Sequence, residues 1–185
     1  MSNNGSFSGN PRTEWSTDDA GPDRNMTLLA DFTFTDPDGK IWPAPKDSVI
    51  NGASIPRALW STVGSPYTDD YRRASVVHDV ACNTPGVPRK AADVMFYRAC
   101  LAGGCGPLQA KILYAGVRIG AWGSKSLTAH SQSKEASLFQ ATSGPSPESN
   151  FMQSKLVQIT AEMEQLPDNP TIAQLDAAIK KHLKV

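Results

Sequence analysis

The apolar positions of this chain fall into helical stripes through its centre and one alternating run before them. Tyr71, Ala74, Ser75, His78, Ala81 and Cys82 share a face at i, i+3, i+4 and i+7 spacing. That pattern predicts a helix from about Thr68, which can cap it, to about Cys82; Asp69 and Asp70 suit its positive end. The stretch "NTPGVP" breaks it. A second helix is predicted from about Arg89 to Ala102, with Asp93, Phe96, Tyr97 and Cys100 on one stripe and Gly103 and Gly104 as its stop. A third, Leu108 to Trp122, carries Ile112, Leu113, Val117 and Ile119. Upstream, "LLADFTFTDPDGKIWPAP" predicts a β-hairpin of Leu29–Thr35 and Lys40–Pro43 around a "DPDG" turn. A loop follows, "SVINGASIPRALWSTVGSPY", with a short helix after Pro56.

The flanks read differently. Residues 1–25 are rich in Ser, Asn, Gly, Asp and Pro and lack a period, so a mobile arm is expected there. Residues 26–122 make the core domain. From 123 to 150 the composition turns to Ser, Thr, Gln and Pro, the signature of a linker. Residues 151–185 predict a helical hairpin, Phe151–Gln165 and Thr171–Leu183, divided by "PDNP". Met152, Leu156, Ile159, Met163 and Leu166 form a narrow seam along its first helix. A fold back onto its own domain is preferred for this hairpin over a docking arm for a protein partner or a second copy. The expected class is therefore mainly α with a small β-hairpin (α+β), built on an antiparallel helix pair.

Composition narrows the functions. The formal charge is zero, and residues 26–125 hold eleven Lys/Arg against eight Asp/Glu. With neither a basic stripe nor a recognition motif, nucleic-acid binding is not expected. No run has the length a bilayer span needs, and the first residues lack the basic start and apolar stretch of a secretory signal. The expected location at synthesis is the cytoplasm, with any export by a route independent of such a signal. Cys82, Cys100 and Cys105 are an odd, sparse set without a paired C-x-x-C, so core thiols are expected rather than a disulfide framework or a zinc site with His78.

Two inward-facing polar groups then stand out. His78 lies about five residues before the connecting loop and Asp93 about five after it. At ~1.5 Å per residue both sit roughly 7 Å from the turn along antiparallel axes, so they come level. A carboxylate buried there is tolerable if it accepts an imidazole N–H. Such a pair fixes the imidazole tautomer and leaves the other nitrogen to take a proton from water. Asp79, about 100° round the helix, is placed beside the same cleft and suits a calcium ion with loop carbonyls. The plainer alternative is a satisfied core histidine that ties two helices together.

The segments "NGASIPRALW", "YRRASVVHDVAC" and "RKAADVMFYRA" resemble a family of small phage and prophage proteins, domain of unknown function 1353, over about residues 26–122. The same order is similar, more distantly, to the secreted phospholipases A2 of bacteria and fungi. That resemblance implies a phospholipase A2-like core in which His78 activates water and Asp93 orients it. It also implies Ca²⁺ held by Asp79 with the loop at Asn51, Gly52 and Ser54. Ser75 stands where that family has a disulfide cysteine, and Asn51 where it has a loop aspartate. The leading expectation is a hydrolase that uses the His–Asp dyad to activate water, a phospholipase A2-like esterase acting on membrane lipid or another ester. The alternative is a non-enzymatic phage-type structural or interaction module with a structural His–Asp pair.

Overall fold

The structure, a computed structural model, describes residues 4–16, 25–52, 55–56, 59, 70–130 and 147–183, with backbone alone for 124–130. Its elements are β1 (Ser6–Phe7), β2 (Thr13–Trp15), β3 (Met26–Leu28), β4 (Phe32–Thr35), β5 (Ile41–Ala44) and β6 (Val49–Ile50). The helices are α1 (Arg72–Asn83), α2 (Arg89–Gly103), α3 (Pro107–His130), α4 (Pro147–Gln165) and α5 (Ile172–Lys180). The class is α+β, with more sheet than one hairpin: β1-β4-β5 and β2-β3-β6 form two antiparallel sheets of three strands each.

The expected hairpin is β4 and β5, in register from Phe32↔Ala44 to Thr35↔Ile41. Its turn is held by Asp36, whose Oδ1 accepts the N–H groups of Asp38 and Lys40, each at 3.0 Å. Asp36 Oδ2 accepts from Trp42 Nε1 at 3.1 Å. Phe32, Phe34, Trp42 and Ala44 alternate inward. Trp42 is thus part of the core. The predicted first strand is cut short, because a bend at 29–30 separates Met26–Leu28 into the other sheet.

Residues 6–7 and 13–15 are strands where an arm without structure is expected. β1 pairs with β4 and places Phe7 against Phe32 and Phe34, with ring centroids 5.7 and 4.9 Å away. Gly5 makes that approach possible: at φ +92°, an added Cβ would stand 2.4 Å from the carbonyl oxygen of Thr35. β2 pairs with β3, Trp15 opposite Met26.

α1 begins at Arg72, later than predicted; Thr68 and Asp69 lie outside the described residues, as does most of the segment after Pro56. Its last carbonyls are met by Thr84 Oγ1 on Val80 (2.8 Å) and Asn83 Nδ2 on Asp79 (3.0 Å). α2 ends on Gly104 in the left-handed region at φ +111°, and the Cys105 N–H returns to the Cys100 carbonyl at 3.1 Å. α3 runs on to His130, past the predicted end at Trp122, which takes the start of the expected linker. Positions 131–146 lie outside the described residues.

The carboxy-terminal hairpin folds back on α3. Leu156, Ile159 and Met163 are fully buried. Lys111, almost wholly buried on α3, donates to the carbonyls of Leu166 (2.9 Å) and Pro167 (3.4 Å) at the end of α4. Asp176 of α5 accepts from Tyr114 Oη at 2.8 Å and pairs with Lys90. The α5 start is a capping box of Thr171 and Gln174. The apolar seam is therefore covered by the chain's own third helix.

Candidate functional site

α1 and α2 run antiparallel around the "NTPGVP" turn and bring His78 and Asp93 level. His78 Nε2 lies 2.9 Å from Asp93 Oδ1, and neither side chain has exposed surface (0 % each). An ionised carboxylate only accepts, so Nε2 carries the proton and Nδ1 is the bare nitrogen. Phe96 packs against the imidazole at 4.8 Å between centroids.

Asp93 has further partners. Arg89, one turn earlier on α2, donates from Nε to Oδ1 at 3.1 Å, and Arg118 of α3 donates from Nη1 to Oδ2 at 3.1 Å. Three helices thus meet on one carboxylate. Burial drives the His78 pKa below its ordinary value and outweighs the raising effect of the Asp93 hydrogen bond. Burial would raise that of Asp93, but the His78 hydrogen bond and the guanidinium of Arg89 outweigh it and hold the group lower. Those two directions call for different charges on His78. We assign a neutral imidazole and an ionised Asp93, because two permanent cations suffice to hold the carboxylate charged.

Cys82, one turn after His78, places Sγ 3.4 Å from Nε2 and 3.9 Å from Nδ1. His78, Cys82 and Asp93 present ligand atoms within 4.8 Å of one another. The donor set alone suits a soft dication. The two guanidinium groups already on Asp93 oppose one, so the described residues do not fit a metal centre there. Cys82, Cys100 and Cys105 form no disulfide among the described residues.

The residues expected to hold calcium are brought together in part. Asp79, 3 % exposed, accepts the Asn51 N–H on Oδ2 at 2.6 Å. Gly52 follows at φ +95° and is buried. Ser54 lies outside the described residues. Calcium takes about six to eight oxygen ligands. At this point the loop offers Asp79 an N–H rather than a carbonyl, so the described residues do not assemble such a shell.

A separate cavity of about 240 Å³ lies between the β2-β3-β6 sheet and the first turns of α1. Among its lining residues are Thr13, Trp15, Gly52, Arg72 and Ser75; His78 and Asp93 are not. Sequence reasoning missed it, as it missed Arg89 and Arg118. The i,i+4 spacing of Arg89 and Asp93 was a readable signal; Arg118 reaches the site only through tertiary packing.

Fold and site together define the class: an α+β domain whose three central helices converge on a buried His–Asp–Arg cluster beside an open cavity. Residues 26–117 match the family described as protein of unknown function (DUF1353). The chain is 37 % identical over 110 residues to uncharacterized protein y4jT of Sinorhizobium fredii, covering 60 % of this chain and 32 % of that one. It is 40 % identical over 90 residues to uncharacterized protein y4iH of the same organism, covering 49 % and 38 %. The matched region thus spans about a third of each of these curated relatives. No solved structure matches. Among the described residues, no helix is long and apolar enough to cross a membrane.

Proposed function

We propose that the chain is a non-catalytic binding or interaction module in which His78, Asp93, Arg89 and Arg118 lock the three central helices together. One observation carries this reading: both members of the dyad are fully buried, and the Asp93 carboxylate is taken up by three donors. A general base needs its proton donor within hydrogen-bond reach. An imidazole without accessible surface offers an ester no such approach. A buried charge whose partners are all in place is what fixes helix register, and removing one partner is costly.

The second reading is a phospholipase A2-like esterase acting on membrane lipid or another ester. It is favoured by the tautomer: with Nε2 given to Asp93, Nδ1 keeps only the long sulfur contact, the arrangement of a base awaiting water. The adjacent Asp79 also contacts the Asn51 loop. In that reading His78 takes a proton from water while Asp93 holds the ring, the water oxygen adds to the ester carbonyl, and the tetrahedral intermediate breaks its C–O bond to an alkoxide that takes the proton back from His78.

The two readings part on one experiment. Purified wild type, His78→Gln and Asp93→Asn are assayed against short-chain esters and phospholipid vesicles, with and without added calcium, and their melting temperatures are recorded. The structural reading expects no turnover in the wild type and lower melting temperatures in both variants. Wild-type turnover abolished by either substitution, in a folded variant, establishes the esterase instead.

A further inference from the structure

We propose that the cavity at the start of α1 binds a small organic carboxylate with an apolar or aromatic body. The inference stands independently of whether His78 is catalytic, since His78 does not line it.

Three observations carry it. The first is an unmet hydrogen bond. The Ser75 side chain is buried (2 % exposed), lines the cavity, and its Oγ has no partner. Helical serines ordinarily return this hydroxyl to a carbonyl one turn back. Here it is left to whatever fills the space beside it, and a buried hydroxyl without a partner is destabilising.

The second is charge. Arg72, exposed at the first turn of α1, lines the same cavity and makes no ion pair among the described residues. Asp70 borders the neighbouring crevice with Arg72. The adjacent Arg73 is engaged elsewhere, donating to the Gly103 carbonyl at 3.2 Å and covering the Phe7 ring. Among the described lining residues, the Arg72 guanidinium at the positive end of a twelve-residue helix matches a single negative charge. A phosphate dianion would call for more cations than those residues supply.

The third is shape and lining. Trp15, Met26, Ile50 and Val76 give the cavity apolar walls, and Trp15 stands 56 % exposed at its edge. The volume of about 240 Å³ falls below that of sites for drug-sized ligands, and corresponds to about eight waters or roughly ten non-hydrogen atoms. A carboxylate reaching Arg72 and Ser75, with a ring or short chain against Trp15, uses all of these features.

The test is a titration of the full chain with phenylacetate and with hexanoate, followed by amide and indole chemical shifts. Neutral 2-phenylethanol and inorganic phosphate serve as comparators. Both carboxylates are expected to shift the Gly52 and Ser75 amides and the Trp15 indole N–H in a saturable manner below about 10 mM. Phenylethanol and phosphate should bind at least about tenfold more weakly. Arg72→Gln, at an exposed position, should weaken phenylacetate about tenfold, with Arg72→Lys intermediate; Ser75→Ala should weaken it several-fold. Absence of saturable shifts with both carboxylates overturns the proposal. So does equal binding of phenylethanol, preference for phosphate, or an Arg72→Gln variant that binds as the wild type does.

Discussion

Ser75 and His78 are one turn apart on the same helix, and both side chains are buried, but their surroundings are opposites. At His78 the ring N–H is taken by Asp93, which is itself held by Arg89 and Arg118, while Nδ1 meets only the Cys82 sulfur inside a sealed site. Beside Ser75 the hydroxyl is unanswered and the space is open. Burial of a polar residue therefore does not by itself mark a working site. A saturated group stabilises the architecture, whereas an unsaturated one facing a cavity is equipped to receive something.

The largest way to break this contrast is Asp93→Ala. It leaves two guanidinium groups and an imidazole around a buried gap, and the expected loss is about 3–5 kcal/mol in urea unfolding. An effect below about 1 kcal/mol would mean that the cluster does not tie the helices together.

Next comes His78→Gln, which removes the ring packed on Phe96 and changes the acid response. In the native state His78 has a lowered pKa, so protons bind the unfolded chain preferentially. Its contribution is fully present above the unfolded value of 6.5 and is lost as pH falls from there toward the folded value. Asp93, also lowered, adds a second loss below its ordinary 3.8. The wild type should thus lose stability as pH falls below about 6.5, with a slope of up to ~1.4 kcal/mol per pH unit, and His78→Gln should flatten that segment. Unfolding measured at intervals across this range decides it.

The smallest effect should be of opposite sign. Ser75→Ala removes a buried hydroxyl that has no partner, so the unliganded protein should gain up to about 1 kcal/mol, read as a rise in melting temperature. A clear loss would indicate that the hydroxyl is satisfied after all.

What could be read from the sequence divides along the same line. The dyad was legible because His78 and Asp93 are near-equidistant from one short turn, so local helical geometry sufficed. The "DPDG" hairpin was legible because its turn and its alternation lie within one short stretch. β1 and β2 were not. They are two and three residues long, largely polar, and paired with partners as distant as Thr35 and Met26. Missing them hid the cavity, whose wall includes Thr13 and Trp15. Arg118 stayed hidden because it reaches Asp93 from a third helix, 25 residues away. The end of α3 at His130 overran the predicted stop because the polar composition after Trp122 remains compatible with helix.

The central claim is that His78 is a sealed, neutral partner of Asp93. The most direct test is a pH titration of its imidazole nitrogens by NMR on the full chain. The account predicts an Nε2–H tautomer with a slowly exchanging proton that stays neutral through pH 7 to 6 and until unfolding begins. A His78 ring that titrates near its ordinary value and exchanges its proton freely with solvent would contradict it.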